Sequence, residues 1–427
     1  MKACRILVIA AFAFLSTGAL AQAQRFPESA QSESPLNLAE LVQGALDRNP
    51  EILAARYAVD GRRARIPQAG AWPDPAVSWS YAGNLLPPFT LMSADPSSAR
   101  QVMVEQTIPY PGKTHLRTEI AAREADVEMF AYEAVSKRVA AEVKQAYFDL
   151  YYVDHSLATL QKDEDALKSI AKVAEIRYSV GKAAQQDILR AQLELTKLSE
   201  REVLLRQQRY TLEAQLNTLR DVPVDSPVAL TPTVKASPLV YNEEQLQEAA
   251  RANYPVLKQR RTAVDENRLS LSLAQKDRRP DFSVGYTYLQ RDRLPDMYGI
   301  TLSTSLPLFH RRKQDVAVRE AVANLESAHQ MEASELTRLR YQVKQHFLEV
   351  QASEERLRLY TQGIARQSAL TLASSLASYE TGNIDFLNVL ANFLAEIDAE
   401  LEYHQQISDH EVALARLEEV TGLDLIQ

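Results

Sequence analysis

This chain has little cysteine, little glycine and no long hydrophobic run past its leader. One cysteine, Cys4, and 12 glycines occur in 427 residues. A lone cysteine permits no disulfide framework, no cysteine-based metal site and no internal thiol pair. From Lys113 to Val180 there is neither glycine nor proline, so nothing in that stretch breaks a helix. No apolar run after residue 23 approaches the roughly 20 residues of a membrane-spanning helix. Positive charge is also in deficit. The 48 Lys+Arg against 56 Asp+Glu leave a net of −8, the wrong sign for a nucleic-acid partner. No G-x-S-x-G, H-E-x-x-H or phosphate loop is found. The 7 histidines are scattered, and the pair nearest in sequence, His404 and His410, is not spaced for one helix face. Carboxylates fall in mixed runs such as QKDEDALKSIAK (161–172), which read as solvated helix surface. No catalytic residue, no metal and no cofactor are expected, and an enzyme reading finds no support.

What is present begins with residues 1–23, which read as a secretory signal peptide. Lys2 and Arg5 give the charged start, Ile6 to Leu15 the apolar core, and Ala19-Leu20-Ala21 or Ala21-Gln22-Ala23 a small-x-small cleavage site. Cleavage there removes Cys4, so the mature N-terminus carries no lipid-acceptor cysteine. The rest is one pattern written twice, roughly 200 residues apart. LAELVQGALDRNPEI (38–52) matches EEQLQEAARANYPVL (243–257), and WPDPAVSWSY (72–81) matches RPDFSVGYTY (279–288). VKQAY (143–147) matches VKQHF (343–347), and RYSVGKAAQQDIL (177–189) matches SYETGNIDFLNVL (378–390). The expected organisation is a first repeat over 24–220, a proline-rich linker over 221–240 and a second repeat over 241–427, each reading helix, two strands, long helix, turn, helix.

The long helical stretch carries a seven-residue repeat: Val139, Ala146, Val153, Leu160, Leu167 and Ala174, with Val143, Leu150, Leu157 and Ala171 beside them. Leu198, Leu205, Leu212 and Leu219 continue it on the return helix, and a second long stretch runs from about Arg311 to Thr381. Helices joined by so short a turn pack antiparallel, so Gly181 and Gly382 mark the tips of two long hairpins. Val77, Trp79 and Tyr81 alternate with serines; Phe282, Val284, Tyr286 and Tyr288 alternate with small residues, as do Ile300 and Leu302. Such strands suit a membrane barrel wall, or equally a soluble sheet with one buried face. In the membrane reading four strands per chain cannot close a lumen, since small closed barrels need about eight. That reading therefore demands an oligomer.

The duplicated order, IPYPGKTHLR (108–117) and LPLFHRRK (306–313) at the strand-to-helix junctions, and the two Y-x-x-G tips together resemble the TolC family of outer-membrane efflux and secretion channels. HRRK (310–313) itself reads as surface charge at a helix start. The resemblance implies a mainly α fold with a β membrane portion. Long antiparallel coiled-coil hairpins form an α-barrel, and four strands per chain build a 12-stranded barrel in a homotrimer. It implies outer-membrane lipid around the strands, a helical part in the periplasm, and as partners a periplasmic adaptor protein and an inner-membrane efflux pump. Tyr178, Gly181, Tyr379 and Gly382 would then lie at the periplasmic aperture, where inward movement of the hairpins closes the channel. Relatives carry acidic residues just past the tip glycine. Asp187 keeps that place in the first hairpin, Asn388 stands there in the second, and Asp385 lies three places nearer the glycine. WPDPAVSWSY and VEQTIPYPGKTHLR resemble the heavy-metal efflux branch. Drug or organic-compound efflux and type I protein secretion are the alternatives, as is a periplasmic coiled-coil scaffold without a barrel.

Overall fold

The computed structural model describes residues 36–83, 91, 97–292 and 294–426. The leader and nearly all of the lead-in that follows it lie outside them. The first repeat runs α1 (Leu38–Arg48), α2 (Pro50–Gly70), β1 (Ala76–Ala82), β2 (Ala99–Ile108), α3 (Lys113–Ser179) and α4 (Gln185–Leu219). The second runs α5 (Glu243–Asn253), α6 (Pro255–Lys276), β3 (Phe282–Gln290), β4 (Met297–Thr304), α7 (Gln314–Leu359), a π-helical turn (Tyr360–Ile364), α8 (Ala365–Glu380) and α9 (Phe386–Thr421). The fold is thus mainly helical, with long helices and one four-stranded antiparallel sheet.

Each opening helix is two helices rather than the one expected, and proline is the reason. The residue before a proline is pushed out of the helical region, while proline itself suits a first helical turn. Asn49 ends α1 and caps α2, its Oδ1 accepting from the backbone N–H of Glu51 at 2.9 Å and of Ile52 at 3.3 Å. Tyr254 before Pro255 makes the same break in the second repeat.

The helix α3 is continuous over 67 residues, about 100 Å at 1.5 Å per residue. Its heptad positions form the seam as read: all are buried except Leu157, which is half-buried. Leu198, Leu205 and Leu212 of α4 close against them. The second hairpin differs. Val343 and Val350 lie in its seam, and so do Leu372 and Tyr379. From Val350 to Tyr379 the count is four heptads and one residue over, and the π turn around Gly363 absorbs the extra residue.

At the base of the helices IPYPGK turns the corner. Gly112 sits at φ 87°, a left-handed conformation open to glycine. Lys113 is buried; its ammonium lies 3.0 Å from Asp281 and 3.3 Å from Asp277 and donates to the Arg279 carbonyl at 2.8 Å. The Tyr110 N–H also donates to Asp281, at 2.7 Å. One repeat is therefore tied to the other where strands hand over to helices.

The proline-rich segment 221–240 is more than a connector. Asp154 of α3 accepts from the Thr231 N–H at 2.9 Å and its hydroxyl at 3.0 Å, and from Arg209 at 2.7 Å. Arg209 also pairs with Glu213 and donates to the Val228 carbonyl at 3.2 Å. Further on, His410 Nε2 donates to the Ser237 carbonyl at 2.7 Å, and Glu411 accepts from the Ser237 N–H at 2.6 Å. These groups are buried, so each exchanged its water for a protein partner. Asp154→Ala leaves Arg209 short of its partner and Thr231 short of its acceptor. It is expected to cost about 3 kcal/mol, the lower end for breaking a buried ion pair. A drop in the urea midpoint, with faster proteolytic cutting within 221–240, is the check.

Candidate functional site

Two places stand out: the sheet, and the end of the hairpins about 100 Å away along α3. The strands are ordered β1-β2-β3-β4, and the β2–β3 ladder joins the repeats. Trp79, Val102, Tyr288 and Tyr298 face one another across the four strands, as do Val77, Val104, Tyr286 and Ile300 one step along. Period-two alternation puts both rows on one face. That face is bare among the described residues: Val77 is 71%, Leu302 74% and Ile300 82% exposed. A sheet in a soluble sandwich would bury this side. The opposite face carries Ser78, Ser80, Met103, Glu105, Ser283, Gly285, Thr287, Thr301 and Ser303, mostly small and polar. Among the described residues β1 and β4 have no partner on their outer edges. No helix among them is long and apolar enough to cross a membrane.

At the far end the two tips repeat one turn. Gly181 lies at φ 75° and Gly382 at φ 82°, as a left-handed helix end requires. In each turn the glycine N–H donates to the Tyr carbonyl three residues back, Tyr178 or Tyr379, at 2.9 Å. The tyrosines then diverge. Tyr178 is exposed, whereas Tyr379 is buried and packs edge-on against Phe386. Arg177 of the first hairpin donates to the Tyr379 carbonyl and stacks over its ring, 4.3 Å from the centroid. Burial, with Asp187 nearby, raises the Tyr379 pKa above its ordinary value. The carboxylates named from the sequence both sit at helix starts. Asp187 accepts from the Ala184 N–H at 3.2 Å. Asp385 caps α9, accepting from the Asn388 N–H at 3.0 Å and from its side-chain amide at 2.7 Å. Asp385 and Asn388 are thus a bonded pair, both exposed, while Asp187 is half-buried.

Three features escaped the sequence reading. Arg177 lay inside a quoted motif, but nothing in one dimension shows it crossing to the other tip. The histidines that meet are not His404 and His410 but His155 and His404, with ring centroids 5.1 Å apart. Tyr151 lies 3.2 Å from His404, and burial, then His155, lower the His404 pKa. The run QKDEDALKSIAK, read as solvated, contains a buried carboxylate, Asp163. It stands three places past Leu160, on the buried side of the heptad, and that position was the available signal.

Comparison with known proteins agrees with this architecture. The family model described as "Outer membrane efflux protein" matches residues 41–220 and 246–420. No curated protein sequence matches. Among solved structures, the outer membrane protein VceC from Vibrio cholerae is similar with a TM-score of 0.77 at 16% identity, over 90% of this chain and 96% of that one. The channel protein CusC gives 0.77 at 14% identity, over 90% and 91%. The open state of the MtrE outer membrane channel of Neisseria gonorrhoeae gives 0.76 at 16% identity, over 91% and 89%. These likenesses show a shared fold. With the family match covering both repeats, the chain belongs to the outer membrane efflux protein family: a TolC-like outer-membrane channel of the kind that serves tripartite efflux systems, not an enzyme, with its helices extending into the periplasm.

Proposed function

We propose that three copies of this chain form a passive exit duct, receiving cargo from an inner-membrane pump through a periplasmic adaptor. The observation that carries this is the sheet: among the described residues it has one bare apolar face, one mostly small and polar face and two open edges. In hydrocarbon an unpaired backbone group costs several kcal/mol, so an open sheet must close on copies of itself. Three chains give twelve strands, with the apolar rows toward lipid and the serine and threonine rows toward water. The two repeats, 24–220 and 241–427, each contribute one hairpin to the helical wall, and 221–240 straps them together.

In this reading Tyr178, Gly181, Asp187, Tyr379, Gly382, Asp385 and Asn388 surround the periplasmic aperture. Asp187 and Asp385 supply its negative charge, and the Arg177–Tyr379 contact holds the two tips together in the closed arrangement. Heavy-metal cations are the cargo favoured by the resemblance of 72–81 and 104–117; organic compounds are the second reading and secreted protein the third. The wall needs no metal ligands for the first, because selection belongs to the pump.

Four outcomes are expected. The protein should fractionate with the outer membrane and migrate as a heat-resistant trimer; a monomer in the soluble periplasmic fraction would favour the scaffold reading. A deletion strain should lose tolerance to copper, silver, zinc, cobalt or nickel salts and regain it on complementation; selective loss of tolerance to dyes, detergents or antibiotics would assign organic cargo instead. Arg177→Ala removes a charge-assisted bond and a cation–π contact together worth about 2 kcal/mol, which corresponds to a roughly thirtyfold rise in the open-to-closed ratio of the reconstituted channel. Asp187→Asn keeps the acceptor for the Ala184 N–H, so it should lower cation preference in single-channel recordings without unfolding the tip. Unchanged selectivity there would remove Asp187 from the aperture.

A further inference from the structure

Roughly 27 Å along the helices from the tip glycines, the first hairpin meets the second at three carboxylates. Asp163 belongs to α3; Glu396 and Glu400 stand one turn apart on one face of α9. One oxygen from each lies within 4.8 Å of the others. Asp163 is only 2% exposed, and its Oδ2 has no hydrogen-bond partner. Glu396 and Glu400 are half-buried and open toward solvent. Of the three, only Glu400 has an ion-pair partner among the described residues: Lys162, at 3.5 Å, whose side chain is 69% exposed.

A buried carboxylate oxygen without a hydrogen bond, facing two more carboxylates, is not a stable end point. Burial, then Glu396 and Glu400, push the Asp163 carboxyl up to about 6, and burial with Glu400 raises Glu396. The cluster needs positive charge at its centre, and Lys162 reaches it only from the rim. Three oxygen donors with no nitrogen or sulfur select a hard cation. One oxygen from each side chain lies within 4.8 Å of the others, close enough to converge on one ion. Calcium, with bonds of about 2.3–2.6 Å and flexible geometry, tolerates such a loose, irregular set better than magnesium, which demands about 2.1 Å and a near-ideal octahedron.

We propose that Asp163, Glu396 and Glu400 bind a calcium ion that pins α3 of the first hairpin to α9 of the second. Water completes its shell from the open side, where Glu396 and Glu400 reach solvent. Such a site departs from the expectation from sequence that the chain holds no metal. It is independent of the cargo question, since an all-carboxylate site suits neither copper nor silver. It also does not depend on where the sheet resides.

The test uses the full-length protein in detergent, stripped with chelator and titrated with calcium chloride by calorimetry. One site per chain is expected, with a dissociation constant of about 10⁻⁴ to 10⁻³ M, the range of few-ligand extracellular sites. Asp163→Asn and Glu400→Gln should each weaken binding at least roughly tenfold, as loss of a ligand group does. Asp165→Asn, on the same helix but exposed, should leave it unchanged. Calcium should raise the melting temperature of the parent protein and not that of Asp163→Asn. Asp163→Asn removes a buried charge and is expected to fold; Glu400→Gln, at a half-buried position, gives the same reading if it does not. No saturable calcium binding up to about 10 mM, binding unaltered in both variants, or preference for magnesium would overturn the assignment. The first of these would leave Asp163 holding a proton in place of an ion.

Discussion

A backbone amide in hydrocarbon must find its partner inside the protein. In this chain that requirement falls on the two outer edges of a four-stranded sheet, and most of the architecture follows from it. The apolar rows of Val77, Val104, Tyr286 and Ile300 and of Trp79, Val102, Tyr288 and Tyr298 leave water as the wrong solvent for one face. The open edges then require more sheet than one chain has. The duplication serves this arrangement because each repeat supplies one antiparallel pair, and the β2–β3 ladder fuses them without an edge between. The long helices begin where the strands end, so sheet closure also sets the starting points of the helical wall.

Apolar contact and polar contact divide the work. The hairpins cohere through heptad seams, which are directional only along the helix and tolerate small slides. Position is fixed instead by buried polar groups. Lys113 joins the strand–helix corner of one repeat to Asp277 and Asp281 of the other. Asp154 and Arg209, then His410 and Glu411, hold the linker at two points along its length. A partner lost from such a group leaves a buried charge or donor uncompensated, which costs more than a missing methyl in the seam. Long cylinders of similar helices need this kind of marker, since one apolar register looks much like the next.

Much of this was legible in one dimension. The seam of α3, the hairpin tips and the alternation of the strands are periodic, and period is what a sequence displays best. The split at Asn49-Pro50 was visible too, though the helical pattern on both sides hid it. What could not be read are contacts between segments that no period relates. Arg177 reaches Tyr379 only because two tips are neighbours in space. Asp163 looks like any acid in a charged helix until α9 is laid against it. Equivalence in sequence also misleads: Tyr178 and Tyr379 occupy matching places, yet one is exposed and the other buried, because the contact between the tips is made by one hairpin upon the other. The fold was therefore more legible than the site, which consists of such crossings.

The π turn at Tyr360–Ile364 has a mechanical meaning. The first hairpin rises on an unbroken helix, and its counterpart in the second is jointed partway. In the proposed trimer stiff and jointed staves alternate around the tube, so six similar hairpins do not make a six-fold object. Strain applied at the mouth divides unequally between neighbours, concentrating in three compliant members while three rigid ones carry the load. Such a cylinder dilates like an iris of three blades set in a fixed frame, rather than widening uniformly along its circumference.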